Sequence, residues 1–185
     1  MKTIEEDMTQ TETLQSDLRK TIRDIPDFPK PGILFKDITP VLQDGKLFAR
    51  VIDAFAGMLK GKAITQVVGI EARGFVFASA LAYKLQAGLI PARKQGKLPY
   101  RKITESYKLE YGEATLEIHQ DALQKGDRVV LVDDLLATGG TAAATAKLVE
   151  RSGATIEKIL FVVELEFLNG RRALKNWDIL SLVSF

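Results

Sequence analysis

The chain has 185 residues, enough for one compact domain with a real core, and its 46% hydrophobic and 27% charged content is that of an ordinary globular protein. A net charge of +2 is too small to point to nucleic acid or a membrane surface, and the absence of cysteine excludes disulfides and thiolate chemistry. Met1 to Ser16 lacks the apolar core of a signal peptide and no apolar run approaches the roughly 18 residues of a membrane span, so a cytoplasmic enzyme or regulator is the default reading.

By composition, residues 1–12 form a polar tail, the one segment expected to be disordered. Leu14, Leu18 and Ile22 then recur at i, i+4 and i+8, one face of a short helix that must stop before Pro26. Three prolines and a glycine between Pro26 and Gly32 require a loop, which Ile33–Phe35 continues with apolar character. Asp44 suits the N-cap of the next helix, where Leu47, Phe48, Val51, Ile52, Phe55 and Leu59 share a face up to about Gly61.

Gln66–Ile70 reads as a buried strand, 74–85 as a helix and 88–92 as a second strand. The basic, turn-rich stretch from Arg93 to Ser106 fits neither type. Residues 107–111 and 115–119 alternate as strands around Gly112, a hairpin. A β-branched run, 128–132, precedes an alanine-rich helix over 141–152 and a last buried strand over 156–163. This alternation predicts a single α/β domain over 13–185, with a mostly parallel central sheet flanked by helices.

The chemistry concentrates in Val129–Thr141. A buried strand delivers Asp133 and Asp134, then a small-residue loop opens onto a helix. In parallel α/β sheets ligands bind beyond the carboxyl ends of strands. Ala137, Thr138, Gly139, Gly140 and Thr141 allow backbone amides and two hydroxyls to converge on an anion at a helix N-terminus, a description that suits a phosphate monoester. Two carboxylates beside a phosphate repel it unless they serve another part of the ligand. A vicinal diol that donates to them, or a Mg²⁺ that screens them, supplies the reason. The alternative, a diacid that only caps a turn, leaves the Thr-Gly-Gly-Thr sequence unexplained.

These thirteen residues resemble the phosphoribosyl pyrophosphate loop of type I phosphoribosyltransferases. The resemblance implies that fold, with an N-terminal hood over 13–40 and a flexible β-hairpin lid. It also implies that Ala137–Thr141 hold a 5-phosphate while Asp133 and Asp134 accept from the ribose hydroxyls. Three more segments are similar to adenine phosphoribosyltransferases: Pro29–Asp37 to their hood, Gly69–Phe75 to their pyrophosphate loop, and Arg93–Pro99 with Ser106–Gly112 to their catalytic loop. Transfer of phosphoribosyl to adenine, with AMP and pyrophosphate as products, is the implied reaction. A homodimer is implied too, as is Mg²⁺ held mainly by substrate and water with no direct protein ligand.

Adenine is flat and uncharged, so its site wants an apolar sandwich with a few edge-on hydrogen bonds. Phe35 and Leu165 are candidates for the two faces, with backbone near Leu34 and Lys36 along the edge; the family usually has arginine at the position of Lys36. Arg73 sits in a strand-to-helix turn suited to an anion, and Glu71, Ala72 and Arg73 with Arg93, Lys94 and Lys97 are the pyrophosphate candidates. The resemblance implies a cis Glu71–Ala72 bond. Displacement at the anomeric carbon passes through an oxocarbenium-like state, for which Glu110 is the candidate carboxylate and Tyr111 the residue that pins the lid. His119 lies away from these motifs and is expected to be structural or solvent-facing. Competing readings are a phosphoribosyltransferase for another base, against which the hood argues, and a regulator on the same fold, which would carry a DNA-binding addition or a basic face.

Overall fold

The computed structural model describes residues 4–109 and 112–185, with side chains over 12–107 and 113–185. The chain divides into two compact units, Met1–Gly57 and Met58–Phe185, where the sequence reading has one domain over 13–185.

The first unit opens with helix α1 (Ile4–Thr21), on which Leu14 and Leu18 are buried as their spacing predicts. The helix starts well before the first spaced leucine and takes in most of the tail expected to be disordered. Glu, Gln and Met are good helix formers by intrinsic propensity. Strands β1 (Arg23–Pro26) and β2 (Leu34–Asp37) pair antiparallel, Asp24 opposite Lys36 and Ile25 opposite Phe35. Two cross-strand ion pairs tie this hairpin, Lys36 Nζ–Asp24 Oδ1 at 2.6 Å and Arg23 Nη2–Asp37 Oδ2 at 3.3 Å. Helix α2 (Thr39–Gln43) leads to α3 (Gly45–Met58). Asp44 caps α3, its Oδ1 accepting from the amides of Lys46 and Leu47 at 3.0 Å each.

The second unit is built on a seven-stranded sheet. Its elements are β3 (Gln66–Ile70), α4 (Gly74–Leu85), β4 (Gly88–Lys94), β5 (Lys102–Leu109), β6 (Gly112–His119), β7 (Arg128–Leu136), α5 (Gly140–Arg151), β8 (Thr155–Glu164) and β9 (Ile179–Ser184). The spatial order is β5-β6-β4-β3-β7-β8-β9. The pairs from β4 through β9 are parallel, and the β5–β6 hairpin joins antiparallel along β4. Parallel strands covered on both faces should read as continuous apolar runs, and β7 and β8 do so, with Val129–Val132 and Ile159–Val163 almost wholly buried. Small residues let α5 lie close to the sheet. Ala142 and Ala146 pack among Ile70, Leu131, Ile159 and Phe161, while Ala144 and Leu148 face Val68, Ile90 and Ile118.

Candidate active site

The parallel order places the carboxyl ends of β3 and β7 side by side, and both run directly into helices. From β7 the chain passes through Ala137, Thr138 and Gly139 into α5. Gly139 is left-handed, at φ 80°, and no side chain caps the helix there. The first amides of α5 are therefore not satisfied by a capping side chain, the condition for holding an anion. Behind the loop lie two 3₁₀ turns, Glu166–Leu168 and Gly170–Leu174. A Cβ on Gly139 would stand 2.4 Å from Gly170 O, and one on Gly170 would stand 2.2 Å from Ala137 O. Only a glycine pair permits this approach. Glu164 braces the same corner through a bidentate pair with Arg171, both contacts at 2.7 Å. The Arg171 hydrogen bonds hold the Glu164 carboxyl below its ordinary value against the effect of burial.

Asp133 and Asp134 stand at the end of β7, Asp134 buried and Asp133 partly so. Asp133 Oδ1 accepts the Asp134 amide at 2.9 Å. Burial, then the like charge of Asp134, pushes the Asp133 carboxyl well above its ordinary value. Burial also raises Asp134, opposed mainly by Arg73, whose Nε lies 2.8 Å from Asp134 Oδ2. The site is thus short of positive charge and of hydrogen-bond donors for two adjacent carboxylates. A ligand that brings hydroxyl donors relieves the second deficit.

Arg73 comes from the turn between β3 and α4, in which the Glu71–Ala72 peptide is cis, as the resemblance implies. Glu71 faces Arg93 (Nε–Oε2 3.2 Å) and accepts the Lys94 amide at 2.9 Å. Burial opposes the charge of Glu71, but the Lys94 amide and Arg93 more than offset it and lower its titration. Arg93 also donates to Lys97 O at 3.1 Å. The segment beyond is gathered by Glu117, fully buried on β6. Its Oε1 accepts from the amides of Lys97 (3.0 Å) and Leu98 (2.9 Å), and its Oε2 lies 3.1 Å from Lys102 Nζ. A continuous polar chain therefore runs from the Arg73 turn to the foot of the β5–β6 hairpin.

The structure brings Arg73, Asp133, Asp134 and the 137–141 loop together and sets Glu71 with Arg93 and Lys94. Glu110 and Tyr111 lie outside the described residues. Leu165 follows the end of β8, half-buried, its amide donating to Leu136 O at 2.9 Å. Within the first unit, half-buried Phe35 packs edge-on to Phe28 (centroids 5.1 Å apart), Leu34 is exposed and Lys36 is buried with its ammonium on Asp24. His119 stands in the sheet with its ring against Tyr100, 6.0 Å between centroids, as expected of a structural residue. Sequence reasoning missed Gly170, the Glu164–Arg171 brace and the Glu117 clasp. The adjacent Gly170-Arg171 pair was their only local signal.

Among the described residues no three His, Asp or Glu side chains converge as a metal-ligand set.

The phosphoribosyl transferase domain family is matched over residues 40–180. An adenine phosphoribosyltransferase from Syntrophotalea carbinolica is 57% identical over 169 residues, covering 91% of this chain and 99% of the relative. The crystal structure of an adenine phosphoribosyltransferase from Thermoanaerobacter pseudethanolicus superposes with a TM-score of 0.89 at 52% identity, covering 92% of this chain and 99% of that one. The Saccharomyces cerevisiae adenine phosphoribosyltransferase, complexed with an imino-altritol bisphosphate and adenine, gives a TM-score of 0.89 at 40% identity over 92% of this chain and 99% of that one. The chain belongs to the phosphoribosyltransferase family and, within it, to the adenine phosphoribosyltransferases.

Proposed function

We propose that the chain transfers the 5-phosphoribosyl group from phosphoribosyl pyrophosphate to adenine, releasing pyrophosphate and AMP, a purine-salvage reaction. The observation that carries this reading is the Asp133–Asp134 pair running into an anion-ready helix start beside Arg73. Relatives of the same name cover nearly the whole chain, and the yeast relative takes adenine alongside a bisphosphate.

In this reading the amides and hydroxyls of Ala137–Thr141 hold the 5-phosphate, and Asp133 and Asp134 accept from the ribose hydroxyls. Arg73 receives pyrophosphate oxygens together with Arg93, Lys94 and Lys97, and the backbone of Glu71 and Ala72 shapes that turn. The C1–oxygen bond to pyrophosphate breaks as adenine N9 bonds to C1, and the N9 proton leaves to Glu110 or water. Both electrons of the broken bond depart with pyrophosphate, so no oxidant is needed. Mg²⁺, when bound with the diphosphate, would neutralise charge on the leaving group.

By resemblance Glu110 and Tyr111 belong to a lid that closes to keep water from the reactive ribose. Leu34, Phe35, Lys36 and Leu165 are the residues that the resemblance assigns to adenine. Because Lys36 is held by Asp24, its contribution is its backbone, not an arginine-like side-chain contact. We further place the protein in the cytoplasm, as a homodimer, with no nucleic-acid or membrane partner. Among the described residues no helix is long and apolar enough to cross a membrane.

The test is direct. Purified protein with Mg²⁺ and phosphoribosyl pyrophosphate should yield AMP from adenine, with hypoxanthine and guanine far slower. Asp134→Asn or Arg73→Ala should remove nearly all activity. Faster reaction with another base would overturn the adenine assignment while leaving the phosphate loop intact. Binding of phosphoribosyl pyrophosphate without reaction of any base would favour a regulator.

A further inference from the structure

Thr141, in the first turn of α5, donates its hydroxyl proton to the phenol oxygen of Tyr107 at 3.0 Å. Tyr107 lies on β5, half-buried, with its ring packed against the cluster that includes Val68, Leu116 and Leu148. Both residues belong to the second unit, and neither the diol pair nor the Arg73 turn involves this contact.

A threonine hydroxyl has a single proton. While that proton points at Tyr107, Oγ1 offers only lone pairs to anything in the 137–141 loop, and lone pairs repel a phosphate. A phenol can also donate. A small turn of the phenol would let the bond run the other way: Tyr107 gives its proton to Thr141 Oγ1, and Thr141 turns its own proton outward. A hydroxyl that accepts from a phenol is polarised and donates more strongly.

We propose that Tyr107 is a positioning residue for the 5-phosphate. Its hydrogen bond to Thr141 reverses when the anion enters, so that Thr141 becomes a donor to phosphate and Tyr107 a donor to Thr141. The inference rests on the phosphate-loop reading above. Contacts along the same strand keep β5 in place while the bond reverses. Glu105 pairs with Lys147 at 3.2 Å and with Arg151 at 3.1 Å, and Arg151 donates to Thr104 O at 2.8 Å.

Ribose 5-phosphate is the probe, since it carries the 5-phosphate without the diphosphate. Tyr107→Phe should weaken its binding, measured by titration calorimetry, about fivefold, the loss expected for one hydrogen bond. The KM for phosphoribosyl pyrophosphate should rise by a similar factor, with kcat, the KM for adenine and the thermal midpoint little changed. In the Thr141→Ala background, Tyr107→Phe should add nothing, whereas Thr141→Ser should keep the sensitivity to it. If Thr141→Ala weakens ribose 5-phosphate but Tyr107→Phe does not, the proposal is wrong and the loop reading stands. Additive effects of the two variants, or a Tyr107→Phe effect confined to the thermal midpoint, would make the contact merely structural and overturn the proposal. If Thr141→Ala leaves binding untouched, the loop does not hold the phosphate, and the proposal falls with that reading.

Discussion

Asp133 illustrates how one residue can be costly to the fold and necessary to the site. Its carboxyl is raised by burial and by the neighbouring Asp134 charge. A carboxyl whose folded-state titration lies above its unfolded value of 3.8 favours the fold while it is protonated in both states, and that advantage is lost as pH rises through the folded value. The unliganded protein should therefore lose stability from this residue as pH climbs above 3.8. Asp133→Asn keeps an oxygen to accept the Asp134 amide but carries no charge. We expect it to raise the thermal midpoint at neutral pH by a few degrees, on the order of 1 kcal/mol, while sharply weakening phosphoribosyl pyrophosphate. Thermal melts from pH 4 to pH 8 check the sign: the difference from wild type should grow with pH. A midpoint for Asp133→Asn below wild type across that range would show that the charged form is not strained. The carboxylates of Glu71 and Glu164 run the opposite way. Both are lowered, so their contributions are present above 4.5 and are lost as pH falls through their folded values.

Elements were legible in proportion to how much their periodicity had to serve the core. Strands β3, β7 and β8 are buried on both faces and read as apolar runs, and α3 shows its stripe at every buried position from Leu47 to Phe55. The stretch from Arg93 to Ser106 resisted assignment because it spans the end of β4, a turn and the start of β5, an edge strand paired only with β6. Its first residues, Lys102–Ser106, are mostly polar for that reason. Prolines hid the β1–β2 hairpin, since Pro26 ends β1 at a position where no ladder donor is needed. The motif loop was readable down to single residues, but its support was not, because Gly170 meets Gly139 only after the chain has returned through β8. That support is testable. Gly139→Ala adds a Cβ at 2.4 Å from Gly170 O in a left-handed backbone, and should cost about 2 kcal/mol or more and raise the KM for phosphoribosyl pyrophosphate at least about tenfold. Gly61→Ala shares the positive φ, 80°, but meets nothing within 4 Å, so it should cost only about 1 kcal/mol and leave kinetics alone. Equal losses in the two variants, by chemical denaturation, would mean that backbone conformation, not the close approach, governs the loop.

For the whole molecule, the balance of surface and core bears on assembly. The buried set is drawn from both units, and most large apolar side chains are accounted for by it. Helix α4 is an exception. Its inner face buries Phe77, Ala78, Leu81 and Ala82, yet Val76 is 42% exposed and Tyr83 89% exposed. Seven residues apart, these two share a face two turns long, and Leu89 at the start of the next strand is 43% exposed. A single exposed apolar residue needs no explanation, but several on neighbouring elements mark a surface suited to association. Arg73 is the N-cap residue of α4, so a partner on that face would steady the turn that carries the site's central arginine. The proposed homodimer thus acquires a physical reason beyond resemblance, and a sharp test. Light scattering after size exclusion should give twice the 20.5 kDa chain mass. Tyr83→Asp, which buries a charge if this face is the interface, should shift the mass toward one chain and lower activity together with it. A single-chain mass for the unmodified protein at micromolar concentration, with full activity, would show that the site is complete within one copy.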